Sequence, residues 1–439
     1  MPTVTVSGAG HETLTLSYDS AANAAIAAQI AAAISRSVET GAVVPVNGGD
    51  TPIQVPPPVP GGKIGEFVQQ YDGLSIMLPG YQDVVVTAGS ATVLGSGDAN
   101  EAILAGEGNL TFIATGGSGT VVAGGNTGGR SGHGEDHGDD RHDDHGDDRH
   151  DDHGRGHAGG DLIIVPGSDN GNWGIYTGGG NDTVLALGGG NDTIAAGGGH
   201  NRIELGSGND SVQSTGNDTI VAGSGSDTIT ASNDARDLVL GGTGGVVFLG
   251  GAGRVTLFGG AGSDTFEGGS GRAVVYGGEA GSNSLLGGAG KATLFGGGAG
   301  DGLFAQGAHA QELVAGIGNE TLSAAMASGP DSLIAGSGQD LLIGGSGKDT
   351  FFGGTGSSTM LGGAGHDVFA FVKSLNGGTD LVVNFTSLDK IDLQGYGHHA
   401  IQAALISQTY AGGSVTITLS DNTRVTFAGV ASLMKTNFT

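Results

Sequence analysis

Gly336-Ser-Gly-Gln-Asp340-Leu-Leu342, Gly344-Gly-Ser-Gly-Lys-Asp349-Thr-Phe351 and Gly362-Gly-Ala-Gly-His-Asp367-Val-Phe369 state one phrase at a step of nine residues, with a decayed copy, Gly353 to Met360, between the last two. A fixed period decides the architecture, because each copy is too small to bury its apolar residue alone and does so only by stacking on its neighbours. The fold class expected is all-β: a parallel β-roll or β-helix solenoid, with a small α+β segment at the N-terminus and a β-rich cap at the C-terminus.

The chemistry of the phrase follows from its residue types. Glycines admit backbone arrangements that a Cβ would obstruct, so carbonyl oxygens can converge with an aspartate carboxylate in a tight turn. Calcium takes six to eight hard oxygens in a tolerant geometry and suits that donor set. The apolar residue two after the aspartate, such as Val184, Ile194, Val212, Ile220, Ile229, Phe351 or Phe369, points inward from a short strand. Two phrases make one coil of eighteen residues, so successive turns fall on opposite edges. The candidate calcium ligands are Asp182, Asp192, Asp210, Asp218, Asp227, Asp264, Asp331, Asp340, Asp349 and Asp367. An ion held between stacked turns needs acids about eighteen residues apart, as in Asp192, Asp210 and Asp227, and again in Asp331, Asp349 and Asp367. Two ion rows are expected, one in each aspartate-rich block. The plainer reading is that glycine and aspartate are simply common in turns; copies in register favour the metal, since stacked carboxylates repel without a cation.

Composition sets the bounds. Glycine supplies 93 of 439 residues, aromatic residues are 5%, and the formal net charge is −28, poor material for one large core. The acid load excludes nucleic acid as the expected partner, which normally needs a basic stripe. There is no cysteine, hence no disulfide framework and no thiolate zinc site. No stretch resembles a membrane span, so an integral membrane protein is not expected. The N-terminus also lacks the basic and apolar regions of a secretory signal peptide.

Along the chain, residues 1–44 read as a small α+β head: strands Thr3 to Val6 and Thr13 to Leu16, then a helix capped by Asp19 or Ser20, with Ile26, Ile30 and Ile34 on one face. Six of the 10 prolines crowd residues 45–62, read as a semi-rigid linker. Residues 63–125 look like solenoid coils without the aspartate. An acidic, histidine-rich tract, residues 126–160, interrupts them as a solvated loop. The nonapeptide roll occupies 161–369. Within it, between about Gly241 and Gly300, Val246, Val255, Ala273 and Ala292 take the acidic position, and Asp264 reads as an isolated survivor. Residues 370–439 form the cap, with Val415 to Thr418 and Arg424 to Phe427 as strands around an Asp421-Asn422 turn.

These repeats resemble the RTX family of secreted bacterial proteins, and Gly377-Gly-Thr-Asp-Leu-Val-Val-Asn-Phe-Thr-Ser-Leu-Asp-Lys-Ile-Asp-Leu393 is similar to the phrase that commonly follows RTX repeats. The resemblance implies an uncleaved C-terminal signal read by a type I secretion apparatus, a chain unfolded in calcium-poor cytosol, and folding outside the cell. It often comes with enzymatic or toxic modules, but this chain shows no zinc-protease His-Glu-x-x-His, no lipase Gly-x-Ser-x-Gly elbow and no apolar pore-forming region.

The tract doubles one phrase, Gly138-Asp-Asp-Arg-His-Asp-Asp-His145 and Gly146-Asp-Asp-Arg-His-Asp-Asp-His153. His137, His142, His145, His150, His153 and His157 read either as loose ligands for zinc, copper or nickel or as part of a solubilising charged loop. The first functional expectation is a secreted, non-enzymatic calcium-binding protein acting as a cell-surface, adhesin or matrix component, with surface polysaccharide or self-association as its contacts. The alternatives are a carbohydrate-active lyase, epimerase or hydrolase on a solenoid face, and an ice-binding solenoid built on Thr183, Thr193, Thr219, Thr228 and Thr265.

Overall fold

The structure, a computed structural model, describes residues 1–439 except 19, 107, 125–161, 166–170, 233, 299 and 376. The chain winds into a parallel β-solenoid of about 16 turns. One sheet begins at Val43–Asn47 and adds a strand per coil through Ile64–Gln69 and Tyr81–Val86 up to Thr379–Val383 and Arg424–Phe427. The second runs from Ile53–Gln54 through Gly73–Ile76 to Val368–Val372 and Lys390–Gln394. Each strand pairs in parallel with the strand one coil before and one coil after, at the usual spacing of about 4.8 Å.

The core is thin and repetitive. One inward residue per strand builds two facing columns, including Ile194, Val212, Ile229, Phe248 and Phe266 on the first sheet and Val184, Ile203, Ile220, Val239 and Leu257 on the second, all at most 1% exposed. Each contributes about 1.5–3 kcal/mol relative to an exposed side chain. Larger side chains stack where they meet. Phe248 lies on Phe266 with ring centroids 5.5 Å apart, and Phe351 on Phe369 at 5.0 Å. The inward column therefore matches the apolar positions read from the repeat.

At the N-terminus, Thr3–Ser7 and Thr13–Ser17 form an antiparallel pair, and the helix Ala21–Glu39 follows. Ser20 is the cap, accepting from the Ala22 and Asn23 amides. The buried helix face is Asn23, Ala24, Ala27, Ala31 and Ile34, whereas Ile26 and Ile30 are only partly buried. The reason is close approach: the alanines let the helix sit down on Val68, Val85, Leu104 and Val122, which point outward from the first sheet. Asn23 ties the two together, its Nδ2 donating to the Ala123 and Thr177 carbonyls at 3.2 and 2.6 Å.

The proline-rich stretch differs from the linker expected of it. Val43–Asn47 pairs with Ile64–Gln69, and Ile53–Gln54 with Gly73–Ile76, so these residues carry the first rungs of both sheets. Proline is tolerated there because a terminal strand has one edge with no partner awaiting its N–H. At the other end Thr409–Ala411, Ser414–Thr418 and Arg424–Phe427 turn antiparallel and close the first sheet. The turn between the last two is the one expected, with Asn422 at φ 71° and the Thr423 amide donating to Asp421 Oδ1. Such a change of pattern blunts an edge that would otherwise template further strands.

Candidate calcium ladders

The repeated aspartate occupies a slot two residues before the inward apolar residue, so period-two alternation aims its side chain inward as well. There it forms a ladder from coil to coil. The Trp173 amide donates to Asp192 Oδ1 at 2.8 Å, Asp192 to Asp210 at 2.7 Å, and Asp210 to Asp227 at 3.0 Å. On the opposite edge, Gln311 donates to Asp331 at 2.8 Å, Asp331 to Asp349 at 2.9 Å, Asp349 to Asp367 at 2.9 Å, and Asp367 to Asp389 at 3.0 Å. The second carboxylate oxygen turns back to its own loop: Gly345 N–H donates to Asp349 Oδ2 at 2.7 Å, and Gly336 N–H to Asp340 Oδ2 at 2.7 Å.

Glycine in these turns answers to close packing between coils. A Cβ on Gly225 would stand 1.5 Å from the Gly208 carbonyl oxygen, and one on Gly347 would stand 1.8 Å from that of Gly329. The turns thus pile carbonyl upon glycine along each edge, next to the carboxylate ladder. Beside them an exposed ladder runs in the opposite sense, the Asn209 amide donating to Asn191 Oδ1 at 2.8 Å and the Asn191 amide to Asn172 Oδ1 at 2.7 Å.

The slot carboxylates are buried: Asp192 is 3% exposed, and Asp227, Asp331, Asp349 and Asp367 are each 1% exposed. Burial pushes Asp192 up to about 7 and Asp331 up to about 7, against the lowering effect of the amide that donates to each, and the neighbouring Asp210 and Asp349 charges add to the rise. Asp210 and Asp367 rise to about 6 for the same first reason. Desolvation also raises Asp218, Asp227, Asp264 and Asp349. No lysine or arginine pairs with either row among the described residues.

The ten predicted aspartates divide between the edges. Asp192, Asp210, Asp227, Asp264 and Asp340 belong to the first-sheet ladder, and Asp182, Asp218, Asp331, Asp349 and Asp367 to the second. Asn201 bridges Asp182 and Asp218, accepting from the former at 2.9 Å and donating its amide to the latter at 3.1 Å. The two expected triplets are in register, on opposite edges of the solenoid.

Asp264 is not isolated. It accepts from Val246 at 2.8 Å and donates to Asn283, which donates in turn to Asp301. The acidic slots therefore lapse on one edge, at Val255, Ala273 and Ala292, while the other loses only Val246 before its polar ladder resumes. Asp237, Asn283, Asp301, Gln311, Glu320, Asp380 and Asp389 all occupy slots that counting in eighteens missed, because insertions of one to four residues in the turns shift sequence spacing without shifting the rung. Each stands two before a buried apolar residue, as Asp301 does before Leu303, and that signal finds them. Even the coils read as lacking aspartate hold Glu101 in the slot before Ile103, its Oε1 accepting from Gly97 N–H at 2.9 Å.

Calcium fits these residues. Buried oxygens lacking a hydrogen-bond partner among the described residues include Asp210 Oδ2, Asp237 Oδ2, Asp331 Oδ2 and Asp380 Oδ2. The donors beside them are carboxylates and backbone carbonyls, the hard oxygens calcium takes. No group of three or more His, Cys, Asp or Glu side chains able to hold a metal gathers among the described residues. An ion in a ladder would therefore draw on one or two carboxylates and on turn carbonyls, unlike the nitrogen-rich clusters that suit zinc, copper or nickel. His137, His142, His145, His150, His153 and His157 lie outside the described residues.

The fold and ladders define a parallel β-solenoid with carboxylate-lined turns. The family model of the RTX calcium-binding nonapeptide repeat, in 4 copies, matches residues 176–212, 214–245, 240–275, 327–360 and 343–370, so this chain carries RTX calcium-binding repeats in two blocks. No curated protein matches the chain.

Proposed function

We propose that this chain is a secreted, non-enzymatic calcium-binding repeat protein that folds on extracellular calcium after export by a type I apparatus and serves as a structural component of a cell surface or matrix, as an adhesin or layer protein. The observation that carries the reading is the pair of in-register ladders of buried carboxylates, Asp192, Asp210 and Asp227 on one edge and Asp331, Asp349 and Asp367 on the other, with no lysine or arginine ion pair to them among the described residues. Ions held by Asp192, Asp210 and Asp227 on one edge, and by Asp331, Asp349 and Asp367 on the other, together with carbonyls of their turns, would supply the missing positive charge. Asp182, Asp218, Asp264 and Asp340 extend the same slots. Bound calcium stabilises the folded chain by mass action, since the unfolded chain has no such site.

The non-enzymatic part is supported by how the acids are engaged. Both oxygens of Asp349 accept backbone N–H groups, Oδ1 from Asp331 and Oδ2 from Gly345, a structural use that leaves no free acid–base pair there. The extracellular part is supported by the RTX repeats, and no helix among the described residues is long and apolar enough to cross a membrane. Ice binding is disfavoured. Thr183 and Thr219 stand on the second sheet with Arg202 between them, while Thr193, Thr228 and Thr265 stand on the first, interrupted by Ser211 and Val247.

The test is equilibrium dialysis of the full chain against calcium, with magnesium in parallel. Several calcium ions per chain are expected, fewer in Asp210→Ala and in Asp349→Ala, each variant losing sites in its own block. Unchanged stoichiometry and affinity in both variants would overturn the assignment.

A further inference from the structure

Where the acidic slots of the second sheet lapse, its outer face changes character. Arg254, Arg272 and Lys291 each stand just before the apolar slot residues Val255, Ala273 and Ala292, and Arg236 holds the same place one coil earlier. All four are exposed and form no ion pair or side-chain hydrogen bond among the described residues. They make a column of cations at a step of about 4.8 Å in a chain of net charge −28.

Four residues further along the same strands, hence on the same face, Phe258, Tyr276 and Phe295 form a second column about 13 Å from the first. Their rings stack coil on coil, with centroids 4.9 and 4.7 Å apart and planes within 1° and 5° of parallel. Phe258 is nonetheless 41% exposed and Tyr276 38%, so this ridge faces solvent. Stacked rings spend their negative faces on one another and present their edges, the positive part of the quadrupole. An open groove of about 300 Å³ beside Arg272 and Lys291 continues the face past Thr293 to the exposed Glu312, whose carboxylate marks the end of the cationic stretch.

We propose that this face binds a linear acidic polysaccharide, its carboxylates along the cation column and its ring oxygens and hydroxyls toward the aromatic edges. Three features select that occupant. The cations repeat once per coil, as charge repeats along a uronate-bearing chain. The cation column is unbroken across four successive strands of one sheet. The rings offer no open faces between them, which disfavours single-stranded nucleic acid, whose bases stack on aromatic faces. The proposal deepens the surface-component reading and depends on it for the setting, but not on the calcium slots.

The test uses the calcium-saturated full chain and oligogalacturonates short enough to stay in solution with calcium, which carry a carboxylate on every sugar, with their carboxyl-reduced form as the neutral control, by titration calorimetry at low salt. Binding to the acidic form is expected, at least tenfold weaker for the reduced form and for Arg254→Gln/Arg272→Gln/Lys291→Gln, and unchanged in Lys348→Gln/Lys373→Gln. Circular dichroism in calcium checks that the variants fold; if the triple variant does not, Arg272→Gln alone and the reduced glycan on the wild type decide. Absence of binding, or equal binding by wild type and triple variant, would overturn the proposal. So would binding only to vesicles rich in phosphatidylglycerol or only to poly(dT), which would reassign the face to a membrane or to nucleic acid. Calcium binding left unchanged in the ladder variants, with glycan binding intact, would count against the calcium reading alone.

Discussion

Asp210 shows how one side chain serves two masters. Its Oδ1 accepts from the Asp192 amide at 2.7 Å, a job for any acyl oxygen, while its charge serves only a cation. Asn201 already does the first job without the second. Asp210→Asn should therefore keep the ladder and lose calcium affinity, and it should leave the metal-free fold no less stable, because a buried charge is gone. The pH dependence follows the same logic. A carboxyl whose folded pKa is raised, to about 7 for Asp192 and about 6 for Asp210, binds more protons folded than unfolded, so it favours the fold below the unfolded value and loses that contribution as pH rises through the folded one. The metal-free chain should thus melt at lower temperature at pH 8 than at pH 5, with a smaller difference in Asp210→Asn. Thermal melts in chelator read both, and a melting temperature that climbs with pH over that range would contradict the account.

At the scale of the element, the coil was legible and its irregularities were not. The alternation of glycine turn and apolar strand marks every rung of the main roll, because the inward residue must be apolar whatever else changes. Counting in eighteens puts each triplet on a single edge, as the ladders do, but overlooks Asp237 and Asp301, since turns absorb insertions that strands cannot. The proline-rich first coil was missed because proline reads as a linker, and only the absence of a preceding strand makes it harmless. In the helix, Ile26, Ile30 and Ile34 share the sheet-facing side as the pattern reads, while close approach to the sheet buries Ala24, Ala27 and Ala31 more deeply than Ile26 and Ile30, which a pattern of large apolar residues does not reveal. The turn glycines give this scale its prediction. Gly225→Ala places a methyl against the Gly208 carbonyl and should cost about 3 kcal/mol. Gly198→Ala meets nothing within 4 Å and should stay within about 0.5 kcal/mol of wild type. Equal denaturation midpoints for the two would show that the coils are not stacked this closely.

For the whole molecule, two opposing tendencies meet. A column of buried apolar residues runs the length of the solenoid and favours stacking, while the carboxylate ladders on both edges oppose it at neutral pH unless a cation joins them. The ladders are continuous enough that filling one slot orders the turn above it, so binding and coil formation should be cooperative within each block. The edge that lapses at Val255, Ala273 and Ala292 needs no ion there, and those coils should hold together with less calcium than the blocks that flank them. The most direct measurement is circular dichroism of the chelator-stripped full chain during calcium titration at pH 7.5, with magnesium as control. The account predicts a cooperative gain of β signal at roughly 0.1–1 mM calcium, the range of extracellular calcium modules, and little response to magnesium. A chain already fully folded in chelator and unmoved by calcium would contradict it, because the apolar columns alone would then suffice to hold the buried carboxylates in place.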